Sequence, residues 1–103
     1  MNKLLEKAKK LGLPGLYHMD GKPAEEVPTV KFFAPWGGAT WYASEMDVAT
    51  GECFGYCDMG YGGGELGYFS LNEMNRVSGP GGLKVEIDKF WKGSLAEAAA
   101  AQQ

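Results

Sequence analysis

Between residues 32 and 75 this chain of 103 residues contains no lysine and no arginine. A protein that grips a nucleic-acid backbone needs a basic stripe, so direct nucleic-acid binding is not expected of this stretch. The chain has a net charge of −3, and residues 1–22 hold five lysines against two carboxylates. The middle is acidic instead, with six carboxylates: Glu45, Asp47, Glu52, Asp58, Glu65 and Glu73.

Histidine and cysteine are also scarce, with His18 as the one histidine and Cys53 and Cys57 as the two cysteines. A structural metal site needs more such ligands at closer spacing, so we predict neither a metal nor a cofactor. On an extended strand the two cysteines would lie about 13 Å apart, too far for a disulfide, and both are expected to be reduced.

Long apolar runs are missing as well. No stretch approaches the roughly eighteen apolar residues that a membrane span needs, and residues 1–7 lack the apolar segment of a signal peptide. The expected location is therefore the cytoplasm.

What the sequence does contain is a concentration of aromatic residues, ten of the thirteen lying between residues 32 and 75. Alternating β-branched and aromatic residues predict antiparallel strands at about 27–34, 39–46, 52–58, 65–69 and 84–88. Helical spacing predicts a helix at 2–11 and a short one at 71–77, which Ser70 and Glu73 begin as a capping box.

The predicted fold class is α+β, a single domain with an antiparallel sheet of four or five strands. The N-terminal helix and the short helix after the fourth strand are expected to pack on one face of the sheet. Residues 1–92 are assigned to the domain, and residues 93–103 to a mobile or frayed helical tail.

Three segments carry a resemblance: Lys31-Phe32-Phe33, Thr40-Trp41-Tyr42, and Glu65-Leu66-Gly67-Tyr68-Phe69-Ser70-Leu71. Together they resemble a family of small uncharacterised proteins, a domain of unknown function, from plasmids, phages and other mobile elements. The resemblance covers about residues 13–90. It implies a mobile-element origin, and it implies no reaction.

Exposed aromatic side chains beside carboxylates are typical of protein-binding hot spots. Trp41 and Tyr42 point to opposite faces of one strand, so one of them should lie on the less buried side. The candidate binding residues are Trp36, Trp41, Tyr42, Glu45, Asp47, Glu65 and Tyr68. The leading hypothesis is a non-enzymatic protein of mobile-element origin that engages a host or defence protein with a basic patch. A DNA mimic is one version of it.

Two alternatives belong to other classes of function. In one, Trp41, Tyr68 and the glycine-rich segment 60–64 enclose a nucleotide-like ligand at an oligomer interface. In the other, Glu45, Asp47 and Glu65 serve a metal-assisted enzyme. The absence of lysine and arginine nearby leaves little to stabilise a developing negative charge, which argues against an enzyme.

Overall fold

Strand-forming residues dominate the middle of the chain, and they build one antiparallel sheet in the computed structural model, which describes residues 3–60 and 63–101. The strands lie in the order β4-β3-β2-β1-β5. Their bounds are β1 Val30–Phe33, β2 Thr40–Met46, β3 Glu52–Asp58, β4 Glu65–Ser70 and β5 Glu86–Asp88. The helices are α1 Lys3–Lys9, α2 Leu71–Arg76 and α3 Leu95–Ala101, with 3-10 turns at Ala24–Glu26 and Pro80–Gly82.

The first four strands form a meander because short links join each strand to the next. The last strand, β5, returns to pair with β1 and so occupies the opposite edge from β4. Lys31 of β1 faces Asp88 of β5, and their charged groups lie 3.7 Å apart. The predicted α+β fold with an antiparallel sheet of four or five strands is confirmed, and the sheet has five.

One face of the sheet carries α1 and α2. Leu4 of α1 and Leu71 of α2 are buried in the same core as Phe32 and Cys53. Phe32 and Phe69 meet edge to face with ring centres 6.5 Å apart. The capping box also forms in part, because the Glu73 amide donates to the Ser70 hydroxyl at 3.3 Å. Both helices therefore pack through their apolar sides on one face of the sheet, as predicted.

The opposite face carries α3, whose Ala98 is buried against Tyr42 and Tyr56. A second capping box begins this helix: the Ser94 amide donates to Glu97 at 3.0 Å, and the Glu97 amide donates to the Ser94 hydroxyl at 3.2 Å. Beyond residue 92, where the predicted domain ended, the described chain thus continues into a capped helix that packs on the sheet.

Several boundaries differ from the predicted ones. The first helix ends at Lys9 instead of residue 11. A turn follows at residues 10–12, and Gly12 in this turn has a left-handed backbone that does not continue an α-helix. The predicted strand 27–34 shortens because Pro28 pairs with Ser94 instead of a sheet strand. Outside the described residues lie positions 1, 2, 61, 62, 102 and 103, which belong to the predicted first helix, the glycine-rich segment and the predicted tail or their flanks. Within the described chain, no helix has the length and apolarity to cross a membrane.

Candidate functional site

Three exposed side chains form a surface that we name the tyrosine patch, defined as Tyr17, Leu66 and Tyr68. Their exposed fractions are 63%, 55% and 52%. Leu66 and Tyr68 are two residues apart on β4, so they share one face of the sheet. A side-chain hydrogen bond with Tyr17 raises the pKa of Tyr68, and the negative charges of Asp20 and Glu45 act in the same direction. Aromatic and acidic groups therefore lie together at this edge.

Tyr17 reaches the patch from a loop with an unusual backbone. Its φ angle is 71°, the one positive value among the described non-glycine residues. The amides of Tyr17 and Met19 donate to the two carboxylate oxygens of Glu45 at 3.0 and 2.6 Å. Glu45 is only 3% exposed. A buried carboxylate thus fastens the loop that presents Tyr17.

The orientation of Glu45 depends on a β-bulge. The pairing between β2 and β3 shifts register between Ala43 and Glu45, so Glu45 comes to lie opposite Phe54. Phe54 in turn lies opposite Tyr68, and their rings meet edge to face at 5.0 Å. One row across the sheet is therefore formed by Glu45, Phe54 and Tyr68, and it connects the carboxylate that holds the Tyr17 loop to the patch.

The predicted binding residues do not form a single surface. Tyr42 is fully buried, and Trp36 and Trp41 are half-buried against the core under α1 and α2. Glu45 is buried, so it contributes hydrogen bonds to the loop and no exposed charge. Of the seven predicted residues, only Glu65 and Tyr68 are exposed.

Asp47 has a local role. Its carboxylate accepts a hydrogen bond from the Ala49 amide at 2.9 Å, inside the turn between β2 and β3. Short polar side chains often stabilise turns in this way. The ion pair that Lys31 forms in the described chain is with Asp88, which is not one of the candidate residues.

The residues proposed to enclose a nucleotide-like ligand are separated by the sheet. Trp41 lies opposite Cys57, whereas Tyr68 lies opposite Phe54. Residues 54 and 57 of one strand point to opposite faces. The cavity beside the described glycines 63 and 64 has a volume of about 360 Å³ and is lined by neither Trp41 nor Tyr68. One copy of the chain cannot bring these two aromatics onto one ligand.

The three carboxylates proposed for a metal are also dispersed. Glu45 and Glu65 lie opposite residues 54 and 57 of β3, which are about 10 Å apart along a strand. Both oxygens of Glu45 already accept backbone amides. Over residues 3–60 and 63–101, no three histidine, cysteine, aspartate or glutamate side chains are grouped closely enough to hold an ion.

The two cysteines are free, with Cys53 buried and Cys57 half-buried. Burial raises the pKa of Cys53 to about 12 and that of Cys57 to about 11, with nearby negative charges adding to each shift. Both thiols are therefore neutral in the folded protein and poor nucleophiles.

This pKa shift predicts a specific pH dependence. Since the folded state favours the neutral Cys53 thiol, its stabilising contribution is complete below the ordinary pKa of 9.0 and is lost as the pH rises toward about 12. Urea unfolding across this range should show the free energy of unfolding falling less steeply in Cys53→Ala than in the native protein. Equal slopes for the two proteins would contradict the neutral buried thiol.

Sequence reasoning missed four contributors to the site and its surroundings: Tyr17, Asp20, Leu66 and the second capping box. Two signals were present. Leu66 alternates with Tyr68 in a strand, and Ser94-Leu95-Ala96-Glu97 has the spacing of a capping box. Nothing local marks Tyr17, because its exposure depends on hydrogen bonds to a residue 28 positions away.

Comparison with protein-family models gives a match over most of the chain. A family model described as "Protein of unknown function (DUF2958)" matches residues 4–101. No curated protein and no solved structure matches the chain. The resemblance to a domain of unknown function is confirmed, whereas the mobile-element origin stays a prediction.

Proposed function

Because this chain belongs to the family of unknown function DUF2958, we propose its function from the site: it is a non-enzymatic binding protein that engages another protein through the tyrosine patch. Asp20, which is exposed and close enough to Tyr68 for its charge to raise the pKa of that side chain, gives this surface its acidic character. The partner would carry a basic patch. The resemblance to proteins of plasmids, phages and other mobile elements supports a host or defence protein as that partner.

The observation that carries the proposal is the way in which Tyr17 is held. A left-handed backbone costs a non-glycine residue about 1 kcal/mol or more, and such strain persists where the surroundings impose it. Here Glu45 imposes it through two hydrogen bonds, and the result is an aromatic side chain that is 63% exposed. Tyrosine is enriched among the residues that dominate binding energy at protein interfaces.

The edge position of β4 supports the same conclusion. β4 is the last strand of the sheet on its side, so one edge of its backbone faces no other described strand. Proteins commonly protect such edges with lysine or proline, yet Glu65–Ser70 contains neither. An exposed edge with apolar side chains at alternate positions can accept a strand from a partner.

A nucleotide-like ligand is the less favoured alternative. Trp41 and Tyr68 lie on opposite faces of the sheet, so they could meet on one ligand only between two copies of the chain. The tyrosine patch requires no second copy.

The test is affinity capture from host lysate with mass spectrometry, followed by titration of the purified partner. Replacing Tyr17 and Tyr68 together with alanine should weaken binding about tenfold or more, since central aromatic anchors dominate interfaces. Phe90→Ala is the matched control, because Phe90 is 92% exposed and lies outside the patch.

Two further measurements sharpen this test. Asp20→Lys should also weaken binding, and the affinity of the native protein should fall as salt screens the exposed charges. The proposal is wrong if the double tyrosine variant, correctly folded, binds every captured partner as tightly as Phe90→Ala does.

A further inference from the structure

A groove runs between α1 and β5, at the opposite edge of the sheet from the tyrosine patch. We name it the basic groove. Four exposed lysines line it, Lys7 and Lys10 from the α1 side and Lys84 and Lys89 from the β5 side. Among the described residues of the lining, Glu86 is the one carboxylate. The groove therefore concentrates positive charge in a chain whose net charge is −3.

These four lysines have no ion-pair partner within the part of the chain that the structure describes. The two ion pairs found there use Lys9 with Glu6 and Lys31 with Asp88. Lys84 makes only a long hydrogen bond, 3.5 Å, to the carbonyl oxygen of Asn75. Four like charges that converge on one concave surface repel each other and favour an anionic occupant.

The floor of the groove is aliphatic. Leu4 and Val85 are almost fully buried, Ile87 is half-buried, and Leu11 is 49% exposed. The volume of the groove is about 520 Å³, which falls in the range of sites that enclose side chains or small ligands. The lining therefore offers apolar contact below and positive charge along the rim.

We propose that the basic groove binds an acidic peptide segment that also carries apolar side chains. Its glutamates or aspartates would face the lysines, and its apolar side chains would lie on Leu11, Val85 and Ile87. A nucleic acid fits less well, because none of the described residues that line the groove is an aromatic that could stack a base. β5 is an edge strand, so an extended peptide can also lie along its free backbone edge.

The direct test uses a fluorescent peptide of alternating glutamate and leucine, titrated with the full chain and followed by anisotropy. We expect saturable binding that weakens as salt is added. A peptide with glutamine in place of glutamate, and one with serine in place of leucine, should each bind about tenfold more weakly or worse. Equal binding of all three peptides would overturn the proposal.

Charge reversal locates the site. Lys7→Glu with Lys89→Glu should lower the affinity about tenfold or more, since each reversal replaces an attraction with a repulsion. Lys3→Glu with Lys92→Glu makes the same change in net charge at exposed residues that do not line the groove. If the control pair weakens binding as much as the groove pair does, the peptide is attracted by the net charge of the chain and not by the groove. That result would overturn the proposal.

Three further outcomes are informative. Leu11→Ser should weaken the glutamate–leucine peptide without lowering the melting temperature, because Leu11 is half-exposed. Tighter binding of a single-stranded oligonucleotide than of the peptide would overturn the proposal in favour of nucleic acid. Concentration-dependent dimerisation that Lys7→Glu with Lys89→Glu abolishes would assign the groove to a second copy of the chain and would equally overturn it.

Discussion

Glu45→Ala is expected to lower the free energy of unfolding by about 2 to 4 kcal/mol, a large part of the 5 to 15 kcal/mol typical of a small domain. The substitution removes both acceptors of the loop, so the amides of Tyr17 and Met19 lose their partners. Hydrogen bonds to a charged group each contribute more than neutral ones, and unpaired amides are costly where water is excluded. Urea unfolding followed by circular dichroism measures the loss.

The same variant should also disturb the geometry of the tyrosine patch, because Tyr17 with its left-handed backbone loses the hydrogen bond from its amide to Glu45. Partner binding is expected to fall with stability. Glu52→Ala is the matched control: Glu52 is an exposed carboxylate on the neighbouring strand, and its removal should change stability by less than about 0.5 kcal/mol. Similar unfolding midpoints for the two variants would show that Glu45 is not the anchor.

Gly55→Ala is expected to cost about 3 kcal/mol or more, through a collision between two strands. A Cβ atom at Gly55 would overlap the carbonyl oxygen of Tyr42 and lie 3.1 Å from the Cα atom of Ala43. Both contacts are with the backbone of β2 just before its bulge, so relief requires the two central strands to separate. A methyl group at this site therefore disturbs the sheet itself.

Gly67→Ala provides a close comparison, since Gly67 lies directly opposite Gly55 on β4. A Cβ atom there would meet nothing within 4 Å, and alanine restricts the unfolded chain more than glycine does. Its unfolding midpoint in urea should match or slightly exceed that of the native protein. If Gly55→Ala unfolds at the same midpoint as Gly67→Ala, then β2 and β3 do not approach each other closely at Gly55.

Local signals were sufficient for the elements because their physical causes are local. Alternation placed Glu52–Asp58 as a strand with the observed bounds, and Ser70 with Glu73 located the start of α2. Apolar spacing placed Leu4 and Leu71 on the faces that α1 and α2 bury. Each of these signals spans a few residues, which is the range over which backbone preferences act.

The candidate site was predicted less well because its residues are defined by contacts distant in sequence. In the alternating pattern of β2, Glu45 looks the same as a carboxylate on the exposed side of a strand. It is buried by the bulge after Ala43 together with the loop at 17–19. The alternation along β2 predicted that Trp41 and Tyr42 point to opposite faces of the sheet, but it did not predict which of the two is buried. Tyr42 is the fully buried one because α3 packs on its face. The capping box at Ser94 and Glu97 is a local sign of α3, but no local pattern shows that this helix packs on Tyr42, more than 50 residues away.

The sequence by itself therefore determined the α+β class, the order of the strands along the chain and the uneven distribution of charge, since all three depend on composition and short-range periodicity. The tertiary structure alone decided which aromatic and acidic side chains are exposed. It buried Glu45, presented Tyr17 beside Tyr68, and brought Lys7 and Lys10 to the same groove as Lys84 and Lys89. The physical reason is that the exposure of a side chain and the clustering of charge depend on which distant segments pack together. The lysines of the groove meet only when β5 pairs with β1. Tyr17 and Glu45 meet only when the 12–29 segment crosses β2.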